Sequence, residues 1–203
     1  MRILIVGASG TIGRAIAAEL GQRHEVLTAG RSSGDVRLDI TDAASIRAAF
    51  ETLLETHGPL DAVISAAGSV KFAPFEQMQA ADYEIGLRDK LMGQVQLVLI
   101  GREHLNDGGS FTLTTGVLDS DPIRQGTSAS MVNGAINAFV MAAAIEMPRG
   151  LRINVVSPGV IEEAMKDYAP YFRGFEPVPA ARAALAYAKS VEGAQTGKVY
   201  RVL

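Results

Sequence analysis

Seven short apolar runs rich in Val, Ile and Leu are separated by longer amphipathic segments, and this alternation constrains the fold more than any other feature of the chain. The runs are RILIVG, HEVLTAG, VRLDI, LDAVISAAG, GSFTLTTG, LRINVVSPG and GKVYRVL. Their interiors are apolar without strict polar alternation, as strands covered on both faces require. The segments between them predict helices over Thr11–Gln22, Asp42–His57, Met78–Leu105, Gln125–Met147 and Ala180–Val191. Strands alternating with helices make βαβ units, so the expected fold is a doubly wound parallel α/β sheet in one domain over residues 1–203. Between LTAG and VRLDI stand only the residues RSSGD, and that crossover is a short loop. Residues 162–179 carry three prolines and an aromatic cluster and read as irregular, with two readings open: a lid or binding segment, or a packed surface excursion or oligomer contact.

Composition excludes several functions. The chain has no cysteine, so it has no disulfide and no thiol nucleophile. Lysine and arginine form no cluster and the net charge is −3, which gives nucleic acid nothing to bind. The apolar part of MRILIVG is short for a signal peptide, and the run AFVMAAAI falls short of the ~20 residues a span needs, so neither membrane insertion nor export is expected. The expectation is a cytoplasmic protein. No metal-ligand constellation is visible, and His24, His57 and His104 fall at helix ends or in loops.

The sequence ILIVGASGTIGRAIAAEL places Gly7, Gly10 and Gly13 between the first strand and the first helix. A tight turn at Gly7, an open backbone at Gly10 and close helix packing at Gly13 build a pyrophosphate cradle at a helix N-terminus. Ser9, Thr11 and Ile12 belong to the same loop. This is the Rossmann-type arrangement, with the spacing G-x-x-G-x-x-G. In this fold an acid at the end of the second strand holds a ribose hydroxyl, whereas an arginine there accommodates a 2′-phosphate. That strand ends TAGRSS, with Arg31 and Ser32 and no acid before Asp35, which favours NADP(H) over NAD(H) unless Arg31 is simply a surface charge.

With these residues in view, the chain resembles the short-chain dehydrogenase/reductase family nearly end to end. LDIT, holding Asp39 and Ile40, resembles the family's adenine-binding segment. SAAG, Ser65 to Gly68, matches the family's N-N-A-G with Ser65 and Ala66 in place of both asparagines, and Ala67 and Gly68 retained. RINVVSPGVI resembles the segment whose Pro158, Gly159, Val160 and Ile161 pass the nicotinamide. The resemblance implies hydride transfer between NAD(P) and an alcohol or carbonyl, with a tyrosine as acid, a lysine four residues later, a serine at the substrate oxygen and an asparagine holding a water.

Carried over on the sequence TSASM, the tyrosine position is Thr127 and the lysine position Met131. A threonine hydroxyl ionises far from neutral pH, and methionine has no charge with which to lower a neighbour's pKa. The serine position falls on Thr114, with Thr115 the alternative, and the asparagine position on Lys90. Lys90 either enters the vacated pocket as a displaced acid or ribose anchor, or turns to solvent. Tyr168 and Tyr171 are further candidates for a replacement phenol or for lid packing, and Asp119, Asp121 and Arg124 for a polar substrate contact or a solvated loop. The expected function is therefore NADP(H)-dependent oxidation or reduction of a small carbonyl or alcohol at a non-standard site. The alternatives are a catalytically silent NADP(H)-binding sensor or regulator, and an isomerase. The resemblance, with the small-residue helix MVNGAINAFVMAAAI, also implies a homodimer or homotetramer, against a monomer that buries this helix.

Overall fold

The computed structural model describes all 203 residues. All seven expected strands form, in a single sheet of order β3-β2-β1-β4-β5-β6-β7 with every neighbouring pair parallel. They are β1 (Arg2–Val6), β2 (Glu25–Gly30), β3 (Val36–Arg37), β4 (Leu60–Ser65), β5 (Leu105–Thr114), β6 (Arg152–Pro158) and β7 (Val199–Val202). The sheet reverses its order between β1 and β4, and ligands of such sheets bind at the carboxyl ends of the strands beside that point.

Helices cover both faces. α1 (Thr11–Leu20) and α7 (Ala180–Glu192) bury Ile16, Leu20, Tyr187 and Val191 against Ile3, Ile5 and Ile64. On the opposite face α2 (Ala43–His57), α4 (Gly93–Gly101) and α5 (Thr127–Glu146) pack Phe50, Leu97, Ile136 and Val140 on Leu4, Val63, Phe111 and Val155. The start of α2 follows from chemistry: the Asp42 carboxylate accepts from Ala44 N–H at 2.9 Å and caps the helix.

Two sequence expectations are revised. The single helix over Met78–Leu105 is α3 (Ala80–Gly86), a π-helical turn at Leu87–Met92 and then α4, with β5 already beginning at Leu105. One extra residue in a turn moves every following side chain about 100° around the axis, so the π-turn resets which residues face the sheet. Residues 162–179 are not irregular throughout: they hold a 3₁₀ turn, the short helix α6 (Met165–Tyr168) and a bridge between Ile161 and Val178. α5 has the length and apolar composition of a membrane span, but its Val132, Ile136 and Val140 are buried on the sheet.

Candidate functional site

The carboxyl ends of the strands enclose two cavities that meet at Gly68 and Ser69. The smaller, about 280 Å³, is walled by Gly7, Ser9 and Gly10 after β1, Arg31, Ser32 and Ser33 after β2, Asp39 and Ile40, and Ala66 and Ala67 after β4. The larger, about 450 Å³, is formed by Ile12, the Pro158–Ile161 segment, Gly116–Leu118, Ala129 and Asn133 of α5, Lys90, and an aromatic rim of Phe72, Tyr168 and Phe172.

The glycine loop is shaped by steric necessity. Gly7 has φ +87°, and a Cβ there would lie 2.8 Å from the carbonyl oxygen of Ala66. A Cβ on Gly13 would lie 2.1 Å from the Gly7 oxygen, so only glycine lets α1 close onto the loop. Thr11 opens α1 and lines neither cavity. At the end of β2 the nearest acid is turned away: Asp35 accepts from the Thr28 hydroxyl at 2.7 Å and from Thr28 N–H at 2.8 Å, and these bonds hold its carboxyl below the usual range. Arg31 therefore faces the cavity with Ser32 and Ser33 and no carboxylate from that turn. Asp39 is fixed by Thr41, whose N–H and hydroxyl donate at 2.9 and 2.7 Å.

The residues carried over as catalytic fare differently. Thr114 does not face the cavity; its side chain lies on the α7 side of the sheet, donating to the Ser65 carbonyl and accepting from the Tyr187 hydroxyl at 2.7 Å. Alternation along β5 explains this, since Thr112 bonds Ser190 on the same face and Thr114 must follow it. Thr115, just past the strand, lines the cavity and donates to Asn137 Oδ1 at 3.2 Å. Thr127 and Met131 also lie off the cavity: Thr127 bonds the Tyr83 hydroxyl at 2.9 Å, and Met131 is 42% exposed. The α5 pair on the cavity wall at the same spacing is Ala129 and Asn133. Asn133 donates to the Gly116 carbonyl at 3.1 Å, while its buried Oδ1 has no donor of its own.

Lys90 turns inward. Its stem lies over Gly68, at φ +130°, and its Nζ is 3.4 Å from the Thr115 carbonyl oxygen. Burial pushes the ammonium down to about 8. Tyr168 reaches the rim, and Tyr171 does not. Asp119 is committed to a clasp with Arg201 and Asn137, and neither Asp121 nor Arg124 lines a cavity. The three histidines lie elsewhere, His24 against Glu192, His57 against Glu25 and His104 stacked on Phe50.

Comparison with known proteins identifies the family. A family model described as enoyl-(acyl carrier protein) reductase matches residues 7–202. The chain belongs to the short-chain dehydrogenase/reductase family. Within that family of oxidoreductases, the crystal structure of the protein lin1944 from Listeria innocua is 52% identical with a TM-score of 0.95, each chain covering 100% of the other. A small-chain dehydrogenase solved in complex with NADPH is 28% identical with a TM-score of 0.87, covering 100% of this chain and 96% of its own. Versicolorin reductase of Emericella nidulans is 28% identical over 195 residues, which span 82% of this chain and 73% of that protein.

The site residues that sequence reasoning missed include Ala129, Asn133, Gly116–Leu118, Val70, Phe72 and Phe172 in the larger cavity and Asp89 in the smaller. Asn133 is one of three buried polar residues of α5, with Ser128 and Asn137, and nothing in the sequence singles it out from them.

Proposed function

We propose that this protein binds NADP(H) along the two joined cavities and interconverts a small, uncharged carbonyl and its alcohol. The observation that carries the reading is the continuity of the trough: an arginine and two serines close its polar end, and an apolar chamber closes the other. A dinucleotide needs both halves. The cradle fits the group on steric grounds, since a side chain at Gly7 or Gly13 would fill it, and a relative solved in complex with NADPH supports a nicotinamide cofactor.

In this reading Gly7–Gly10 and the N-terminus of α1 hold the pyrophosphate, with its negative charge at the positive end of the helix. Arg31, Ser32 and Ser33 hold the 2′-phosphate, Asp39 and Ile40 flank the adenine, and Ala66–Gly68 back the dinucleotide. Pro158–Ile161 lie beside the nicotinamide. The bound cofactor supplies or receives hydride. The aromatic rim of Phe72, Tyr168 and Phe172 excludes water from the chamber, which strengthens every electrostatic interaction inside it.

A second reading, a silent NADP(H)-binding sensor or regulator, is favoured by one observation: neither Ala129 nor Asn133 on the cavity face of α5 carries an acid. One experiment separates the two. NADPH binding is titrated by fluorescence, and a panel of apolar aldehydes and ketones is then screened for reduction. Turnover supports the oxidoreductase; saturable binding with no turnover across the panel supports the sensor.

For assembly, we propose a homodimer or homotetramer that covers the exposed Ile85, Met92 and Leu99 of the α3–α4 segment and Met141 and Ile145 of α5. Light scattering on the purified chain tests this, and a monomer would refute it.

A further inference from the structure

We propose that Lys90 is the proton donor of the site, an ammonium acid delivered by the π-turn instead of by α5. This rests on the oxidoreductase reading above. Three observations carry it. Among the 19 residues that line the larger cavity, Lys90 is the only charged one. No carboxylate pairs with it, and the one hydrogen bond of its ammonium, to the Thr115 carbonyl at 3.4 Å, is at the long limit for such a bond and leaves N–H groups free. Its position is also built rather than incidental, because the stem crosses Gly68 at a point where any larger residue would collide with it.

Three competing hydroxyls are excluded by their placement or bonding. The Thr115 hydroxyl is donated to Asn137, Thr114 lies on the other face of the sheet, and Thr127 is bonded to Tyr83. Of the charged neighbours, Arg88 pairs with Glu84 at the surface, and Asp89 lines the dinucleotide cavity rather than the chamber. Tyr168 on the rim is the other titratable group that shares the cavity with Lys90.

In reduction, the carbonyl carbon accepts hydride from the reduced nicotinamide and the π pair moves to oxygen. That oxygen takes a proton as one Lys90 N–H bond breaks, and the neutral amine regains its proton from water. In oxidation, the neutral amine accepts the alcohol proton. An ammonium that burial has brought down to about 8 can give and take a proton near neutral pH, where an ordinary lysine gives it up poorly. The substrate class follows from the walls: Val70, Phe72, Val117, Leu118 and Val160 accept an apolar aldehyde or ketone, with a single polar contact at its oxygen.

The test compares the wild-type chain with Lys90→Met and Lys90→Arg. Lys90→Met is expected to lower kcat by about 100-fold or more while the NADPH Kd, read by fluorescence, stays within about threefold. Wild-type reduction should fall as pH rises through about 8, and this break should vanish in Lys90→Arg, whose guanidinium does not titrate there. Independently of activity, ¹⁵N NMR of the lysine amines should show one of the five titrating near pH 8, a signal absent from Lys90→Arg. Lys90→Met retaining kcat and the pH break overturns the proposal. So does a loss of NADPH affinity of about tenfold or more, which makes the lysine a cofactor anchor, or an amine that titrates with the other four. A wild type that binds NADPH and reduces nothing overturns the oxidoreductase reading itself, a result distinct from a Lys90→Met variant that still turns over.

Discussion

Ala129 and Asn133 stand one helical turn apart on α5 and together form that helix's share of the chamber wall. Thr127 and Met131, two residues earlier at the same spacing, are rotated about 200° away around the axis, where a reactive group has no access to the chamber.

Installing an acid and its tuner is therefore a test of helix phase. The double change Ala129→Tyr with Asn133→Lys is expected to place a phenol and an ammonium on the chamber wall and to raise carbonyl reduction at least about tenfold. Thr127→Tyr with Met131→Lys is expected to add nothing, because both side chains project off the cavity. NADPH-dependent reduction of one aldehyde by the two variants decides the point. Equal gains, or a gain only in the second pair, would show that α5 is rotated from the phase described.

The Thr114 hydroxyl is a structural bond rather than a reactive one. It satisfies the Ser65 carbonyl and the Tyr187 hydroxyl, and burial holds that phenol well above its usual range. Thr114→Val leaves both groups buried without a partner, and thermal or urea unfolding should report a loss of about 1–3 kcal/mol. NADPH affinity should be unchanged, since the residue lines neither cavity. A Thr114→Val protein of undiminished stability but weakened cofactor binding would contradict this placement.

The strands, the layering and the phosphate cradle were legible because each rests on a local rule. Continuous apolar runs mark two-sided strands, and Gly7 and Gly13 occupy places where a Cβ collides with backbone. What was not legible depends on rotation. α5 is apolar nearly all round, with Met131, Met141 and Ile145 exposed and Val132, Ile136 and Val140 buried, so its sequence does not single out an inner face. The small residues of TSASM then set a frame two residues early. Likewise the extra residue in the π-turn has no propensity signature, although it sets where Lys90 points. Thr114 and Thr115 differ by one residue at the end of a strand, and period-two alternation alone sends them to opposite sides.

Arg31 should set cofactor preference. In the polar cavity it stands with Ser32 and Ser33, and Asp35 is bound back onto Thr28. Arg31→Asp removes a charge-assisted contact to a 2′-phosphate and adds a repulsive carboxylate, so the NADPH Kd should rise about tenfold or more. NADH affinity should hold or improve as the new acid meets the ribose hydroxyls. Paired fluorescence titrations with the two cofactors measure both. An unchanged ratio of affinities would remove the 2′-phosphate assignment.

Asp119 and Arg201 tie the segment after β5 to the end of β7, and their pair should make stability depend on pH. Arg201 Nη2 and Nη1 donate to Asp119 Oδ2 at 2.8 Å and Oδ1 at 3.1 Å, and the Asn137 amide donates to Oδ2 at 2.8 Å. Burial alone would raise the Asp119 carboxyl; the hydrogen bonds and charge of Arg201, with Asn137, outweigh it and hold the group below its usual range. A carboxyl lowered in the folded state binds its proton more readily when unfolded. Its contribution is therefore complete above about pH 5 and is lost as pH falls through the folded-state value, below about pH 4. Arg201→Ala should cost about 1–2 kcal/mol near pH 7, with a shrinking difference from wild type as the medium is acidified through that window. Because Val117 and Leu118 of the tethered segment line the chamber, the same variant should also weaken substrate KM more than NADPH Kd. Urea denaturation of the two proteins across the pH range measures the first effect, and a stability difference constant with pH would show that the pair is not the source.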